Sequence, residues 1–112
     1  MDIDGRGRYY GRLVEIEGVD PSHREEILGI LRERIIPGLK EFDGFAGFIS
    51  LVDEEKRRAR NVVLWETKEG AEEAERKFAP IREEIVAGMG GTVRSTDLFE
   101  AALVEVLAGV HA

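Results

Sequence analysis

The chain has 112 residues, of which 43% are hydrophobic and 35% charged, and it carries a net charge of −7 and no cysteine. This size and composition are typical of one soluble globular domain. The acidic balance argues against a nucleic-acid partner, because phosphate binding needs a basic face. The lack of cysteine excludes disulfides, thiolate nucleophiles and Cys-ligated metals, and it fits a cytoplasmic location.

Both ends of the chain are predicted to be tails around a single domain at residues 8–108. Residues 1–7 are polar with two glycines, which predicts a flexible N-terminal tail without the apolar core of a signal peptide. Residues 109–112 form a short C-terminal tail. No stretch approaches the ~20 apolar residues of a membrane helix, so we expect no membrane partner.

A strand and a long helix open the domain. Residues 8–17 alternate as a strand does, and one face of this strand carries Tyr10, Arg12, Val14 and Ile16. Asp20 caps the following helix and Pro21 fits its first position. Apolar residues then recur at helical spacing as far as Leu39. Pro37 lacks the N–H that an α-helix needs, so we expect a kink or a break there.

Two further strands form a predicted hairpin. The first is Phe45 to Val52, the second fills the stretch Arg60 to Thr67, and the charged turn 53–58 joins them. Each strand is apolar on both faces, so each must be covered on both sides. The second strand holds the only tryptophan, Trp65, which shares a face with Asn61 because side chains alternate along a strand.

A second helix and a last strand complete the domain. Thr67 caps the helix, whose apolar stripe has three-four spacing and consists of Ala71, Ala74, Phe78, Ile81, Ile85 and Met89. Pro80 lies inside it and predicts a kink. The glycines at 88, 90 and 91 end it. The last strand is predicted from about Leu98 to Leu107, again with both faces apolar.

The order of these elements predicts an α+β, ferredoxin-like split βαβ fold with a four-stranded antiparallel sheet. Both helices of such a unit lie on the same face of the sheet. The other face would meet water, yet strands two, three and four carry apolar residues on both sides. We therefore expect a homodimer whose sheets pack face to face about a two-fold axis, which forms a dimeric α/β barrel.

Four short sequences stand out, namely Pro37-Gly38-Leu39, Asp43-Gly44-Phe45-Ala46-Gly47-Phe48, the turn at Asp53, and Leu64-Trp65-Glu66-Thr67 leading into Glu69-Gly70-Ala71. With them, the chain from about Arg8 to Val106 resembles the antibiotic biosynthesis monooxygenase-like domain of the dimeric α/β-barrel superfamily. The resemblance implies a pocket between the sheet and the helices. It also implies, as one activity, oxygenation of a small apolar aromatic substrate of the quinol or polyketide type without a cofactor.

The resemblance implies a catalytic Asn four residues before the strand Trp, and Asn61 and Trp65 match that pair. A phenol substrate would lose a proton, and its anion would pass an electron directly to O2 in a dry pocket with a few hydrogen-bond donors. The Asn61 amide and the Trp65 indole N–H are the candidate donors. Simpler interpretations remain open: Trp65 as packing between strand and helix, and Asn61 as an amide bonded to backbone near the turn.

Four more residues are candidates for substrate binding: Tyr10, Arg12, Phe48 and Phe78. The strand pattern places Tyr10 and Arg12 near a pocket mouth, although packing at a dimer interface explains them equally well. Phe48 and Phe78 are suited to an aromatic pocket, but their strand and helix spacing is also that of core residues.

Haem degradation, the other activity that the resemblance brings, requires residues that this chain lacks. For haem degradation, the resemblance implies an Asn on the first strand and an axial His on the second helix. The strand reads Arg12-Leu13-Val14-Glu15, and no His lies between Arg76 and Met89. His23 is expected to be exposed and His111 lies in the tail, so we expect neither a metal site nor a cofactor.

The resemblance also implies a tyrosine early in the second helix, where this chain has Ala71. Two alternatives to an enzyme therefore stay open, a non-catalytic small-molecule-binding homodimer and a structural homodimer with a vestigial pocket. A cavity of roughly 300 Å³ or more at Asn61 and Trp65 would favour the enzyme or the binding protein over the structural dimer.

Overall fold

The computed structural model describes residues 8–107, and the predicted tails at 1–7 and 109–112, with His111, lie outside the described residues. Its strands are β1 (Tyr9–Glu17), β2 (Phe45–Asp53), β3 (Arg58–Trp65) and β4 (Thr92–Ala101). They form one antiparallel sheet in the order β2-β3-β1-β4, as in a ferredoxin-like unit. The predicted α+β class is thus confirmed.

Two helical crossovers connect the strands. The first consists of a 3-10 turn (Pro21–His23), α1 (Arg24–Ile30), a π-helical segment (Leu31–Ile35) and α2 (Ile36–Leu39), and the second is α3 (Lys68–Gly88). Both predicted N-caps are present. The Asp20 carboxylate accepts a hydrogen bond from the Ser22 N–H at 2.9 Å, and the Thr67 hydroxyl accepts one from the Gly70 N–H at 3.0 Å.

The first crossover passes through Pro37 without breaking. The Ile36 N–H donates to the carbonyl of Leu31, five residues back, so the turn before the proline is of the wider π type. In a regular α-helix the proline ring would crowd the carbonyl of Glu33, and the wider turn accommodates it. The helical run therefore continues to Leu39, which is buried at 4% exposure.

The pairing of β2 with β3 shifts near the start of β2. Phe45 lies opposite Trp65 whereas Gly47 lies opposite Leu64, so Ala46 is an extra residue in a β-bulge. Strict alternation would put Phe45 and Phe48 on opposite faces, but the bulge turns Phe45 towards the helices. There its ring meets that of Trp65 edge-on, with the centroids 5.7 Å apart.

The last strand corrects the sequence-based prediction. It is Thr92–Ala101 rather than Leu98 to Leu107, so the prediction was wrong by six residues at each end. Pairing with β1 sets its position, because Thr92 lies opposite Glu17 at one end and Ala101 opposite Tyr9 at the other. The strand is not apolar on both faces, since it carries the exposed residues Arg94, Asp97 and Glu100.

The two faces of the sheet have different surroundings. The helices cover the face that holds both clusters of buried residues, Leu39, Trp65, Ala71 and Ala74 in one and Val14, Ile16 and Val86 in the other. Strand register places a second apolar set on the opposite side, which we call the open face: Leu13, Ile49, Leu51, Val62, Leu64 and Phe99. No helix within residues 8–107 covers the open face.

Replacing Gly90 with alanine is expected to lower the free energy of unfolding by about 1 kcal/mol. Gly90 has φ +79°, a conformation that L-residues rarely adopt, while a Cβ would meet nothing within 4 Å. Backbone strain is therefore the only cost. Gly29→Ala is the matched control, because that site in α1 is equally open and helix propensity should raise stability by about 0.5–1 kcal/mol. If urea unfolding shows that both variants change the free energy of unfolding in the same direction, this account is contradicted.

Candidate functional site

A cavity of about 180 Å³ lies between the helix-covered face of the sheet and the first crossover. Most of its wall is aliphatic or aromatic, supplied by Val14, Ile27, Leu31, Phe48, Val63 and Phe78 among others. An engineered apolar cavity of about 150 Å³ is large enough for benzene. The volume lies below the roughly 300 Å³ typical of pockets for drug-sized ligands, and Trp65 does not line the cavity, so the cavity that would favour an enzyme or a binding protein over a structural dimer is not present in the described part of the single chain. The described chain therefore offers room for a compact ring compound.

Asn61 contributes a polar group to this wall. It sits in the middle of β3 between Val14 of β1 and Ser50 of β2, and Ser50 also lines the cavity. Among the described residues, the Asn61 side-chain oxygen is buried and has no hydrogen-bond partner. A buried acceptor without a partner costs about 1–3 kcal/mol. A ligand with a donor group would relieve that cost.

A cluster of three charged residues, which we call the arginine cluster, lies beside the cavity and consists of Arg12, Glu75 and Arg82. Arg82 also lines the cavity. Its two terminal nitrogens donate to the two Glu75 oxygens at 3.0 and 2.6 Å. The Arg12 Nε lies 3.8 Å from a Glu75 oxygen, which is an ion pair but too long for a hydrogen bond. Two cations therefore share one carboxylate.

Ion pairs surround the end of the cavity near the β2–β3 turn. Arg24 pairs with Glu54 at 2.8 Å, Arg57 with Asp20 at 3.7 Å, and Arg58 with Asp53 at 3.2 Å, and all six residues line the cavity. The first two pairs join the start of the first crossover to the turn. The positive and negative charges at this end of the cavity therefore cancel.

Hydrogen bonds shift the pKa of three of these groups. The backbone N–H of Ser22 is the main cause of a lowered pKa for Asp20, and that of Lys56 does the same for Asp53. The hydrogen bond to Glu54 raises the pKa of Arg24. A carboxyl with a lowered pKa contributes stability that is present at neutral pH and is lost as the pH falls through the folded-state pKa. The lowered pKa of Asp20 and of Asp53 therefore keeps these two carboxylates ionised at neutral pH.

The structure brings together three of the six candidate site residues. Asn61, Phe48 and Phe78 line the cavity, whereas Trp65, Tyr10 and Arg12 do not. Arg12 lies one residue behind the wall, since it reaches Arg82 through Glu75. Tyr10 lies opposite Trp65 and Glu100 on the neighbouring strands. The roles of all six remain predictions.

Trp65 shares a strand face with Asn61 but lies in the packed core. Its side chain is 2% exposed and belongs to the cluster with Leu39, Ala71 and Ala74. The rings of Phe42 and Phe45 meet it edge-on, with centroids 6.2 and 5.7 Å away. Aromatic rings that enclose an indole in this way fix its position. Within the described chain, Trp65 therefore supports the strand that carries Asn61 and does not contact the cavity.

Sequence periodicity does not place Glu75 and Arg82 at the site, because the predicted apolar stripe of α3 includes Ile81 and leaves both charged residues outside it. Ile81 is 39% exposed, so it lies outside the stripe. The inward face of α3 includes Phe78, Arg82 and Ile85, all of which line the cavity. A signal was available, since Arg82 lies four residues after Phe78 and seven after Glu75, which is one helix face.

Residues 8–107 contain neither a metal-ligand cluster nor a candidate membrane span. No three His, Cys, Asp or Glu side chains gather there as metal ligands would. None of the helices there is long and apolar enough to cross a membrane.

The fold of this chain is also found in a solved structure. A monooxygenase from the gene ActVA-Orf6 of Streptomyces coelicolor, solved in complex with the ligand nanaomycin D, matches 96% of this chain and 96% of its own with a TM-score of 0.63. The two sequences are 14% identical, so the likeness shows a shared fold. This confirms the fold that the sequence motifs implied.

Two uncharacterized proteins of Mycobacterium tuberculosis, from two strains, are also similar in sequence. Each is 32% identical to this chain over 91 residues. That segment is 80% of this chain but 38% of each relative, so the chain spans little more than a third of their length. No family model matches the chain.

Proposed function

We propose that the chain is a cofactor-independent monooxygenase for a small apolar aromatic substrate of the quinol or polyketide type. The observation that carries the proposal is the unpartnered, buried amide oxygen of Asn61 on the wall of a largely apolar cavity. The shared fold with a solved monooxygenase supports it. The cavity volume favours substrates of one or two rings.

The proposed reaction places one atom of O2 on the substrate ring and releases the other as water. The phenol gives its proton to water, the phenolate gives one electron to O2, and the two radicals join at a ring carbon ortho or para to the phenol oxygen that carries hydrogen. The peroxide takes up a proton and then loses water, with the hydrogen of that carbon, to leave a quinone. The reaction balances as phenol plus O2 giving quinone plus water, with all electrons from the substrate. The protein has to bind the ring, exclude bulk water and hold the phenol oxygen.

Asn61 is the group proposed to hold that oxygen. Its amide oxygen accepts a hydrogen bond from the phenol hydroxyl, and its N–H donates to the phenolate once the proton has left. Phe48 and Phe78 provide apolar surface for the ring. Trp65 is proposed to act through packing, because it lies behind this wall in the core.

The proposed functional unit is a homodimer joined through the open face. Ile49, Leu51 and Phe99 on that face are 43%, 55% and 54% exposed in the single chain. Apolar side chains gathered on one side of a sheet usually mark a surface that a partner covers. A second copy would bring an identical apolar sheet, which suits two-fold packing of sheet on sheet.

Asn61→Ala is expected to lower the rate of oxygen uptake about 100-fold, as loss of one hydrogen-bond donor to a developing anion does in other enzymes. Uptake would be measured with a panel of hydroquinones and naphthols, which have one and two rings. Asn61→Leu keeps the volume but removes the amide and should be equally impaired. Thr92→Ala, at an exposed position of β4, is the control and should keep the wild-type rate. Equal rates in all four proteins would remove Asn61 from the mechanism.

A second candidate is a small-molecule-binding homodimer without catalysis. The observation that favours it is that Trp65 does not line the cavity and that position 71 is an alanine, where the resemblance implies a tyrosine, so neither position offers a polar group to the cavity. Binding of ring compounds without oxygen uptake on any of them would select this candidate over the enzyme.

A further inference from the structure

We propose that the cavity selects ligands with a single negative charge, and that Arg82 holds this charge. The proposal rests on the proposed function in one respect, since the cavity is taken as the ligand site. It adds the chemical class of the ligand, a compact apolar ring that carries one carboxylate or phenolate.

The first observation is the unused donor capacity of Arg82. A guanidinium has five N–H groups. Glu75 accepts hydrogen bonds from the two terminal nitrogens, one at each oxygen. The Arg82 Nε is buried and has no partner among the described residues. The two terminal nitrogens each keep a second N–H besides the one donated to Glu75, so the guanidinium retains donors for a charge-assisted hydrogen bond to an oxyanion.

The second observation is the charge of the arginine cluster. The side chains of Arg12, Glu75 and Arg82 are 12%, 21% and 18% exposed, so solvent screens them only in part. Arg12 also has a buried Nε without a hydrogen-bond partner. Two guanidiniums and one carboxylate leave one positive charge next to the cavity. A half-buried positive charge without a counter-ion is costly, and an anion would offset that cost.

The third observation is that no other part of the wall offers a net charge. The three acidic and three basic residues near the β2–β3 turn are paired with each other. The rest of the wall is largely apolar. The chain as a whole carries −7, so a general attraction for anions is not expected. A preference for anions would therefore come from the arginine cluster.

The ligand that fits this wall is small, flat and apolar with one oxyanion at its edge. The cavity of about 180 Å³ limits the ring system. The planar guanidinium suits a carboxylate, and a phenolate oxygen also accepts from a guanidinium N–H. Both sources of the oxyanion share the same chemistry, and the probes below distinguish them.

The test is calorimetric binding of matched charged and neutral probes at neutral pH and low salt. Wild-type protein should bind 1-naphthoate about tenfold or more tightly than neutral 1-naphthamide. The pair 4-nitrophenolate and 4-nitroanisole repeats the comparison with a phenolate, at a pH where the phenol is ionised. A preference in one pair assigns the oxyanion to that class. Equal affinity within both pairs, or no binding of either anion, would overturn the proposal.

Variants then assign the preference to the arginine cluster. Arg82→Met should remove it while leaving 1-naphthamide affinity within about twofold, because the thioether keeps the apolar part of the side chain. Arg12→Met leaves the Arg82–Glu75 pair intact and neutral and should weaken the preference several-fold. Arg76→Met removes an exposed cation from the same helix and should change nothing. If Arg82→Met fails to fold, an unchanged preference in Arg12→Met overturns the proposal.

These measurements are independent of oxygen chemistry. A protein that prefers anions but takes up no oxygen would retain this inference and lose the monooxygenase. A protein that oxidises phenols with no preference for charged probes would retain the monooxygenase and lose this inference.

Discussion

Replacing Trp65 with alanine is expected to lower the free energy of unfolding by about 3–5 kcal/mol. The indole is 2% exposed and is packed among Leu39, Ala71 and Ala74, with two aromatic rings edge-on against it. Truncation removes this contact area and leaves a void that Phe42 and Phe45 can fill only in part. Single domains are stable by about 5–15 kcal/mol, so this change would take a large share of the total.

The measurement is urea unfolding followed by circular dichroism, since the variant has no tryptophan fluorescence. Trp65→Phe keeps an aromatic ring and should fall between the wild type and the alanine variant. Ile81→Ala is the control for loss of apolar surface, because Ile81 is 39% exposed and should cost less than about 1 kcal/mol. A loss for Trp65→Ala as small as that of Ile81→Ala would mean that the indole is not the centre of this core.

Replacing Phe99 with glutamate is expected to dissociate the proposed homodimer. Phe99 is 54% exposed on the open face, so the single chain does not depend on it for its core. Burying a phenylalanine contributes about 1.5–3 kcal/mol, and two-fold symmetry applies the change twice in each dimer. Two buried carboxylates would add a further cost. The dimer dissociation constant should rise about 1000-fold or more, since each 1.4 kcal/mol is a factor of ten.

Sedimentation velocity at micromolar concentration measures this directly. Wild-type protein should sediment as twice the 12.5 kDa of one chain, and Phe99→Glu as one chain. Ile81→Glu places the same charge on an exposed apolar position of α3, on the helix side, and should remain dimeric. A wild-type monomer, or a Phe99→Glu dimer, would contradict assembly through the open face.

Features that depend on neighbouring residues could be predicted from the sequence. Asp20 and Thr67 form their caps because each bonds to an N–H two or three residues away. The limits of β4 could not be predicted in this way, because they depend on pairing with β1, more than seventy residues earlier in the chain. The polar residues at 92–97 favour a loop when the sequence alone is considered. They form a strand only because they pair in register with β1.

The same distinction applies to the candidate site. The two-residue repeat of a strand put Asn61 on the face that also holds Trp65, and in the structure Asn61 lies on the cavity wall. This repeat could not show that Trp65, on the same side, is enclosed by Phe42 and by Phe45, which lies beside the β-bulge. The position of Arg82 on the cavity wall could not be predicted, because a charged residue on a helix is expected to face water. Its partner Glu75 is also seven residues away.

The π turn before Pro37 also bears on the length of the sequence. A turn closed between Leu31 and Ile36 contains one residue more than an α-helical turn. An extra residue in a regular α-helix would rotate everything after it by about 100°. The wider turn takes up that residue locally, so the residues on either side keep the directions of one continuous helix. Leu39 therefore reaches the cluster around Trp65 although Pro37 stands two residues before it.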